Sequence, residues 1–348
     1  MLSRLTMTAP KAMNLASGVR YFAHSTIKSA RYGGGGAGPQ SGFGSRINQG
    51  FGVRSGPTLK ERLLGPTTGK PFVYGTYALA GASVFGVGAL MYYGLISKEQ
   101  SILQKSAIWP SYVRERISST YTYLAASIGL TAVSGVAASR SPALMRLTAG
   151  GGMLSLFGTM AVMIATGMLA RTIDYDNTLV KHLAWALHCG VMGAVLAPLC
   201  FMGGPVLTRA AWYTAGIVGG LSATAITAPS EKFLMMSGPL AMGLGVVFMA
   251  NIGTFFLPPG SALGASLASV VIYGGLILFS AFLLYDTQRL VKVAEMHPHK
   301  SMYGGAGDSL HIRSFDPINA QMSIYMDVLN IFIRLVMIMG GMSGNKRK

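Results

Sequence analysis

The chain has 348 residues, 51% of them hydrophobic and only 11% charged, against about 25% charged in an ordinary soluble domain. A soluble fold of this length needs more polar surface, so the composition predicts an all-α protein that crosses a membrane several times. Net charge is +17, but much of the excess lies near the N-terminus, and no basic groove with interleaved aromatics follows, which argues against a nucleic-acid partner.

In chain order, the opening stretch is rich in Arg, Ser and Ala and holds no acid before Glu61. That composition predicts a mitochondrial transit peptide over residues 1–30, with Arg20-Tyr21-Phe22-Ala23 similar to a matrix-peptidase cleavage context; a disordered basic tail is the alternative. Residues 31–71, Gly- and Arg-rich and including Gly33-Gly34-Gly35-Gly36, cannot bury enough apolar area to offset chain entropy and read as a disordered basic segment.

Apolar runs near the ~20 residues a spanning helix needs then follow at 72–96, 117–138, 147–170, 182–202, 206–228, 234–257, 262–285 and 318–340. Turn and charge signals separate them, among them Ser141-Pro142, Asp174-Tyr175-Asp176-Asn177, Gly203-Gly204-Pro205 and Pro258-Pro259-Gly260. The last run carries Asp327, Asn330 and Arg334, so a full span, a broken helix and a re-entrant segment all fit it. Residues 97–116, with Trp109 and Tyr112 beside Arg114 and Arg116, suit an interfacial connection, an ordinary loop being the other reading. The pairs Gly190/Gly193 and the set Gly216, Gly219 and Gly220 predict close helix packing. A basic tail closes the chain at 341–348 with Lys346-Arg347-Lys348. Positive charges flanking the spans divide almost evenly between the two sides and do not fix orientation.

The chemistry concentrates on two acids. Asp327 lies inside the last apolar run and Asp286 closes the one before it; an acid at membrane depth is a functional-site candidate by default. Asp327, Asn330 and Arg334 sit at i, i+3 and i+7 and share one helix face. Should Asp286 meet that face, two carboxylates would share a proton that a divalent cation could displace. Calcium takes 6–8 oxygen ligands, which the two acids, Asn330, backbone carbonyls and water could supply. Structural alternatives stand beside this one: an ion pair of Asp286 with Arg289, and neutralisation of Arg334 by Asp327. Arg171, after another apolar run, is a plain interfacial cation or a latch on the acids. His182 and His188 lie about 120° apart on a helix and do not converge on a metal, and His297, His299 and His311 fall in a polar connection. Cys189 and Cys200, about 16 Å apart along one straight helix, define neither a disulfide nor a zinc site. Enzyme signatures such as H-E-x-x-H, G-x-S-x-G, a P-loop or C-x-x-C are absent from the sequence, so no enzyme activity is expected.

Tyr285-Asp286-Thr287-Gln288, Asp316-Pro317-Ile318-Asn319 and Tyr325 to Phe332 together resemble the C-terminal signature of the Bax-inhibitor (transmembrane Bax-inhibitor-motif) family. The runs His182 to Pro198, Arg209 to Gly216, Ile108 to Pro110 and Ala228 to Leu234 are similar to a mitochondrial member of that family. The resemblance covers about residues 72–345. It implies a seven-helix bundle over 117–340 with a central last helix, and 72–96 as an extra N-terminal span. It also implies a proton-sensitive calcium site at Asp286 and Asp327, with Arg171 closing the pore. The implied role is a multi-pass protein of the mitochondrial inner membrane that moves Ca2+ and H+, by leak or exchange, without a cofactor, and supports cristae and apoptosis resistance. The alternative is a scaffold, embedded in membrane lipid, that restrains cytochrome c or an inner-membrane AAA protease. The chain departs from the family in the long polar stretch Glu295 to Arg313 and in a Gly-rich second core helix without an acid.

Overall fold

In the absence of water a backbone must bond to itself, so apolar runs long enough to cross a bilayer fold as helices. The structure, a computed structural model, describes residues 63–65, 69–93, 101–149, 153–229, 231–298 and 314–344. The predicted transit peptide, most of the Gly/Arg-rich segment, His299, His311 and the last four residues lie outside the described residues.

Eleven helices are described. They are α1 (Lys70–Met91), α2 (Ile102–Ser106), α3 (Ser111–Ser139), α4 (Pro142–Ala149), α5 (Met153–Thr172), α6 (Thr178–Leu196), α7 (Gly204–Thr227), α8 (Ser237–Phe256), α9 (Ala262–Ser269), α10 (Gly275–Met296) and α11 (Pro317–Gly344). Ser101 and Pro229 form an isolated bridge, and no strand occurs among the described residues. By length and composition six segments suffice to cross a membrane: Lys70–Ala89, Ser111–Ser139, Thr178–Met202, Leu234–Phe256, Ala262–Met296 and Pro317–Gly340. Helices α5 and α7, of 20 and 24 residues, occupy two more of the predicted runs.

Local chemistry sets the helix ends. Proline stands in the first turn of α1 and α7, where its missing N–H costs nothing. Gly203, at φ 94°, takes a left-handed conformation that lets the 3-10 turn Ala197–Met202 reverse into α7. Ser261 caps α9 by accepting from the Gly264 N–H.

Helix α11 is the axis of the bundle. Of its spanning window 56% is buried, against 0 to 33% for the other five. Its Ile324, Tyr325, Val328, Leu329, Ile331, Leu335 and Val336 meet Leu124 of α3, Cys189 and Met192 of α6, Ala210 of α7 and Leu276, Leu283 and Leu290 of α10. It runs unbroken for 28 residues, about 42 Å at 1.5 Å per residue, which excludes a broken helix there.

Close approach is local. At the α3–α6 crossing a Cβ on Gly193 would collide with the Ser134 hydroxyl and lie 2.7 Å from the Gly135 N. Gly190, Gly216, Gly219 and Gly220 have nothing within 4 Å of such a Cβ, so the small-residue reading holds at Gly193 and fails at those four.

The described part of the 97–116 connection, residues 101–116, is docked at the end of the bundle. Ile102 is buried, the Trp109 indole N–H donates to Glu295 Oε1 at 2.6 Å, and the Arg116 guanidinium donates to the carbonyls of Ala294, His297 and Pro298 at 2.9, 2.9 and 3.1 Å. Arg116 thereby satisfies carbonyls that the end of α10 leaves free. The start of α3 and the end of α10 therefore lie together, beside the start of α11.

Candidate functional site

Helix α10 extends to Met296, eleven residues beyond the predicted run. Asp286 is therefore inside the helix and not at its end. Helix continues with Thr287 and Gln288 both buried, and Gln288 has structural work. Gln288 Oε1 accepts from the Phe233 N–H at 2.8 Å, and its Nε2 donates to the carbonyls of Ala225 and Pro229 at 3.2 and 2.7 Å. One side chain thus ties the end of α7 and the approach to α8 to α10, beside Asp286.

Asp286 is 6% exposed and Asp327 4% exposed. Their carboxyl groups, on α10 and α11, lie against each other, and Ser323, one turn before Asp327, shares the cavity wall with Asp286. Asp327 Oδ2 is buried with no hydrogen-bond partner among the described residues. A buried polar atom without a partner is rare and costly, which marks a place for a proton, water or cation. The ion pair of Asp286 with Arg289 does exist, at 3.8 Å, but Arg289 is 59% exposed. Such a pair is worth little and does not account for burying two acids.

Asp286, with Asp327 behind it, lines a cavity of about 380 Å³ together with Ser323, Asn319, Asp316, Arg171 and Tyr175, among others. Arg171 is on that wall, its backbone carbonyl accepting from Asn319 Nδ2 at 3.0 Å. It forms no ion pair with Asp286 within 4 Å, so the predicted latch is placed across the cavity and is not engaged. At the rim, burial first and then the bond with the Tyr123 hydroxyl push the Tyr175 phenol up to about 12, leaving it a neutral donor at any physiological pH.

Asn330 and Arg334 do not join the aspartates. Arg334 Nη1 donates to Asn330 O and Oδ1 at 2.9 and 2.8 Å, its Nε donates to Val271 O at 3.3 Å, and the guanidinium stacks 4.5 Å from the Phe279 ring centroid. Asn330 Oδ1 is therefore engaged with Arg334, and its Nδ2 donates to Met326 O at 2.9 Å. The predicted face is real. Seven residues at 1.5 Å each nevertheless put Asp327 and Arg334 about 10.5 Å apart along the axis, and Arg334 neutralises no acid among the described residues.

A cation that the sequence reading passed over holds the cavity wall. Lys181 is fully buried and ion-paired with Asp316; its Nζ also donates to Ala170 O at 2.7 Å, Ile173 O at 2.9 Å and Asn319 Oδ1 at 3.0 Å. It joins α5, α6 and the start of α11 around Arg171. Its signal was a lysine one turn into an apolar helix, directly after the Asp174–Asn177 turn. His188 and His182 do not converge, as expected: His188 Nδ1 bonds with Thr166 Oγ1 at 3.0 Å, and His182 with the Tyr123 hydroxyl at 2.8 Å and Thr178 O at 2.6 Å. No group of three or more His, Cys, Asp or Glu that could hold a metal occurs among the described residues.

Residues 113–345 match the family model described as inhibitor of apoptosis-promoting Bax1. The chain is 52% identical over 300 residues to growth hormone-inducible transmembrane protein of Rattus norvegicus, covering 85% of this chain and 83% of that one. It is 26% identical over 199 residues to Bax inhibitor 1 of Rattus norvegicus, covering 57% and 75%. An uncharacterized membrane protein of Vibrio cholerae is 29% identical over 171 residues, covering 47% and 65%. No solved structure matches.

Proposed function

The chain belongs to the Bax-inhibitor family, as a multi-pass membrane protein, and on that premise we propose that it moves Ca2+ in competition with protons across the mitochondrial inner membrane. The carrying observation is the buried contact of Asp286 with Asp327, with Asp327 Oδ2 left unpartnered and Asp286 lining a cavity.

Two carboxylates in contact at membrane depth need a proton or a cation between them. A proton held there keeps calcium out. Calcium arriving from the cavity displaces it, with Ser323 and water adding oxygens toward the 6–8 the ion takes. Released protons leave toward the cavity, so calcium occupancy and proton release are linked. Arg171, across the cavity, can close on Asp286 when the pair is ionised and empty, because a guanidinium binds a carboxylate bidentately. This gives a route that acid blocks at the ion site, either as a gated leak or as exchange. Support for cristae and resistance to apoptosis would follow from calcium and proton balance in the organelle.

The test is calcium uptake into proteoliposomes under an imposed pH gradient, with Asp286→Asn and Asp327→Asn beside the wild type. Loss of flux in both variants supports the proposal, and undiminished flux refutes it.

A further inference from the structure

Arg334 lies on α11 beyond the aspartate pair as seen from the cavity. Pro317–Gly340 is the spanning part of that helix, so Arg334 is about 8 Å from its middle at 1.5 Å per residue and inside a hydrocarbon core about 30 Å thick. It is 9% exposed, and no carboxylate among the described residues pairs with it. A guanidinium at that depth is expensive and calls for a function. Its neighbours solvate it without cancelling its charge: the carbonyls of Asn330 and Val271, the Asn330 side chain and the Phe279 ring face.

The Val271 carbonyl is available for a specific reason. Between α9 and α10 the chain forms a π-turn at Val270–Gly274, and the Gly275 N–H bonds to Ile272 O and Val270 O, skipping Val271 O. In an α-helix that N–H would bond to Val271 O. The carbonyl the π-turn frees accepts from Arg334 Nε instead. Gly275 leaves room for this, since a Cβ there would collide with the guanidinium. The same π-turn is braced from outside by α1: Thr76 Oγ1 donates to the Tyr273 hydroxyl at 3.4 Å, Ser269 Oγ donates to Pro71 O at 2.7 Å, and Gly75 lies flush against the Tyr273 ring. π-turns recur at functional sites because shifting one residue restores the α-helix.

We propose that Arg334, seated on the π-turn of α9–α10, is the cation barrier that closes the route on the side of the aspartate pair opposite the cavity. Restoring α-helical bonding at Val271 removes one of the guanidinium's acceptors and frees it to swing aside. This assignment rests on the transport reading above and adds a second closure to the one assigned to Arg171. A fixed positive charge repels a divalent cation strongly where water is scarce, so neutralising it opens the route without touching the ion site.

The experiment compares wild type, Arg334→Gln, Arg334→Lys and Gly275→Ala in proteoliposomes without a pH gradient, reading calcium entry, and measures calcium binding to the same proteins in detergent. Arg334→Gln should raise entry by about tenfold or more. Gly275→Ala, which keeps the charge but unseats it, should also raise entry, and Arg334→Lys should stay near wild type. Binding should be unchanged in all three, which shows them folded with the aspartate site intact. Calcium entry by Arg334→Gln and Gly275→Ala at or below the wild-type rate, with binding intact, overturns the barrier. Loss of binding in Gly275→Ala and Arg334→Gln together overturns it too, because Arg334 would then belong to the ion site. Absence of calcium entry and binding in the wild type itself overturns the transport reading, a different result from either.

Discussion

Replacing Lys181 by Met removes a fully buried cation while nearly keeping the volume of the side chain. Asp316, 16% exposed, then loses its counter-ion, and Ala170 O, Ile173 O and Asn319 Oδ1 lose a donor. Breaking a buried ion pair from one side costs about 3–5 kcal/mol, most of it the uncompensated charge left behind. At 2–4 °C per kcal/mol for a domain of this size, the midpoint of thermal unfolding should fall by on the order of 10 °C. Light scattering or tryptophan fluorescence of the detergent-solubilised protein reads this directly. The double variant Lys181→Met/Asp316→Asn removes the orphaned charge and should recover about half of the loss. Its matched control is Lys292→Met, whose partner Glu231 is 71% exposed; that pair is worth almost nothing. A Lys181→Met protein melting within a degree or two of wild type, or no better when Asp316→Asn is added, would refute the view that this cation pins α5, α6 and α11.

Three further outcomes follow from the packing and the cavity. Gly193→Val forces a side chain into the Thr131 carbonyl and the Gly135 backbone; neither can rotate away, so a loss of about 3 kcal/mol or more is expected, read as the same thermal shift. Arg171→Ala removes the guanidinium that shares the cavity wall with Asp286; calcium flux in proteoliposomes should rise at the higher pH where the acids are ionised, and so fall more steeply on acidification, with calcium binding unchanged. The Lys292 hydrogen bond, then its charge, hold the Glu231 carboxyl below the usual carboxylate range. Its contribution is present above that range and lost as pH falls through the lowered value. Because the group is largely exposed and the pair screened by water, Glu231→Gln should melt with the wild type at every pH from about 7 down to about 4.

The all-α, multi-span character and the order of the apolar segments were legible from length and hydropathy, because the bilayer allows few alternatives for a long apolar run; their number was not, since eight predicted runs became eleven described helices, with six segments long and apolar enough to cross. Pairing of Asp286 with Asp327 was legible too, since adjacent spans with one acid each have few other ways to shelter both. What misled was depth along the axis. A helical wheel puts Asp327, Asn330 and Arg334 on one face and discards the 10.5 Å rise, about two turns, that separates the acid from the cation. Polar residues also read as helix ends in the sequence although they are interior: Gln288 is fully buried because it bonds three backbone groups of other segments. Lys181 was hidden for the same reason, its acceptors being carbonyls that no sequence pattern displays. Gly216, Gly219 and Gly220 carry the packing spacing yet face open space, because spacing fixes which residues share a face and says nothing of what meets it.

The central claim is that Asp286 and Asp327 form one site where protons and calcium compete. Proteoliposomes loaded with a calcium-sensitive dye, given an outward or inward pH gradient, test it when wild type and Asp327→Asn are run side by side. The account predicts pH-dependent calcium flux in the wild type, suppressed as the cavity side is acidified, and a fall of about tenfold or more in the variant, which keeps the shape but not the charge. Equal flux in the two proteins, with the same dependence on pH, would contradict it.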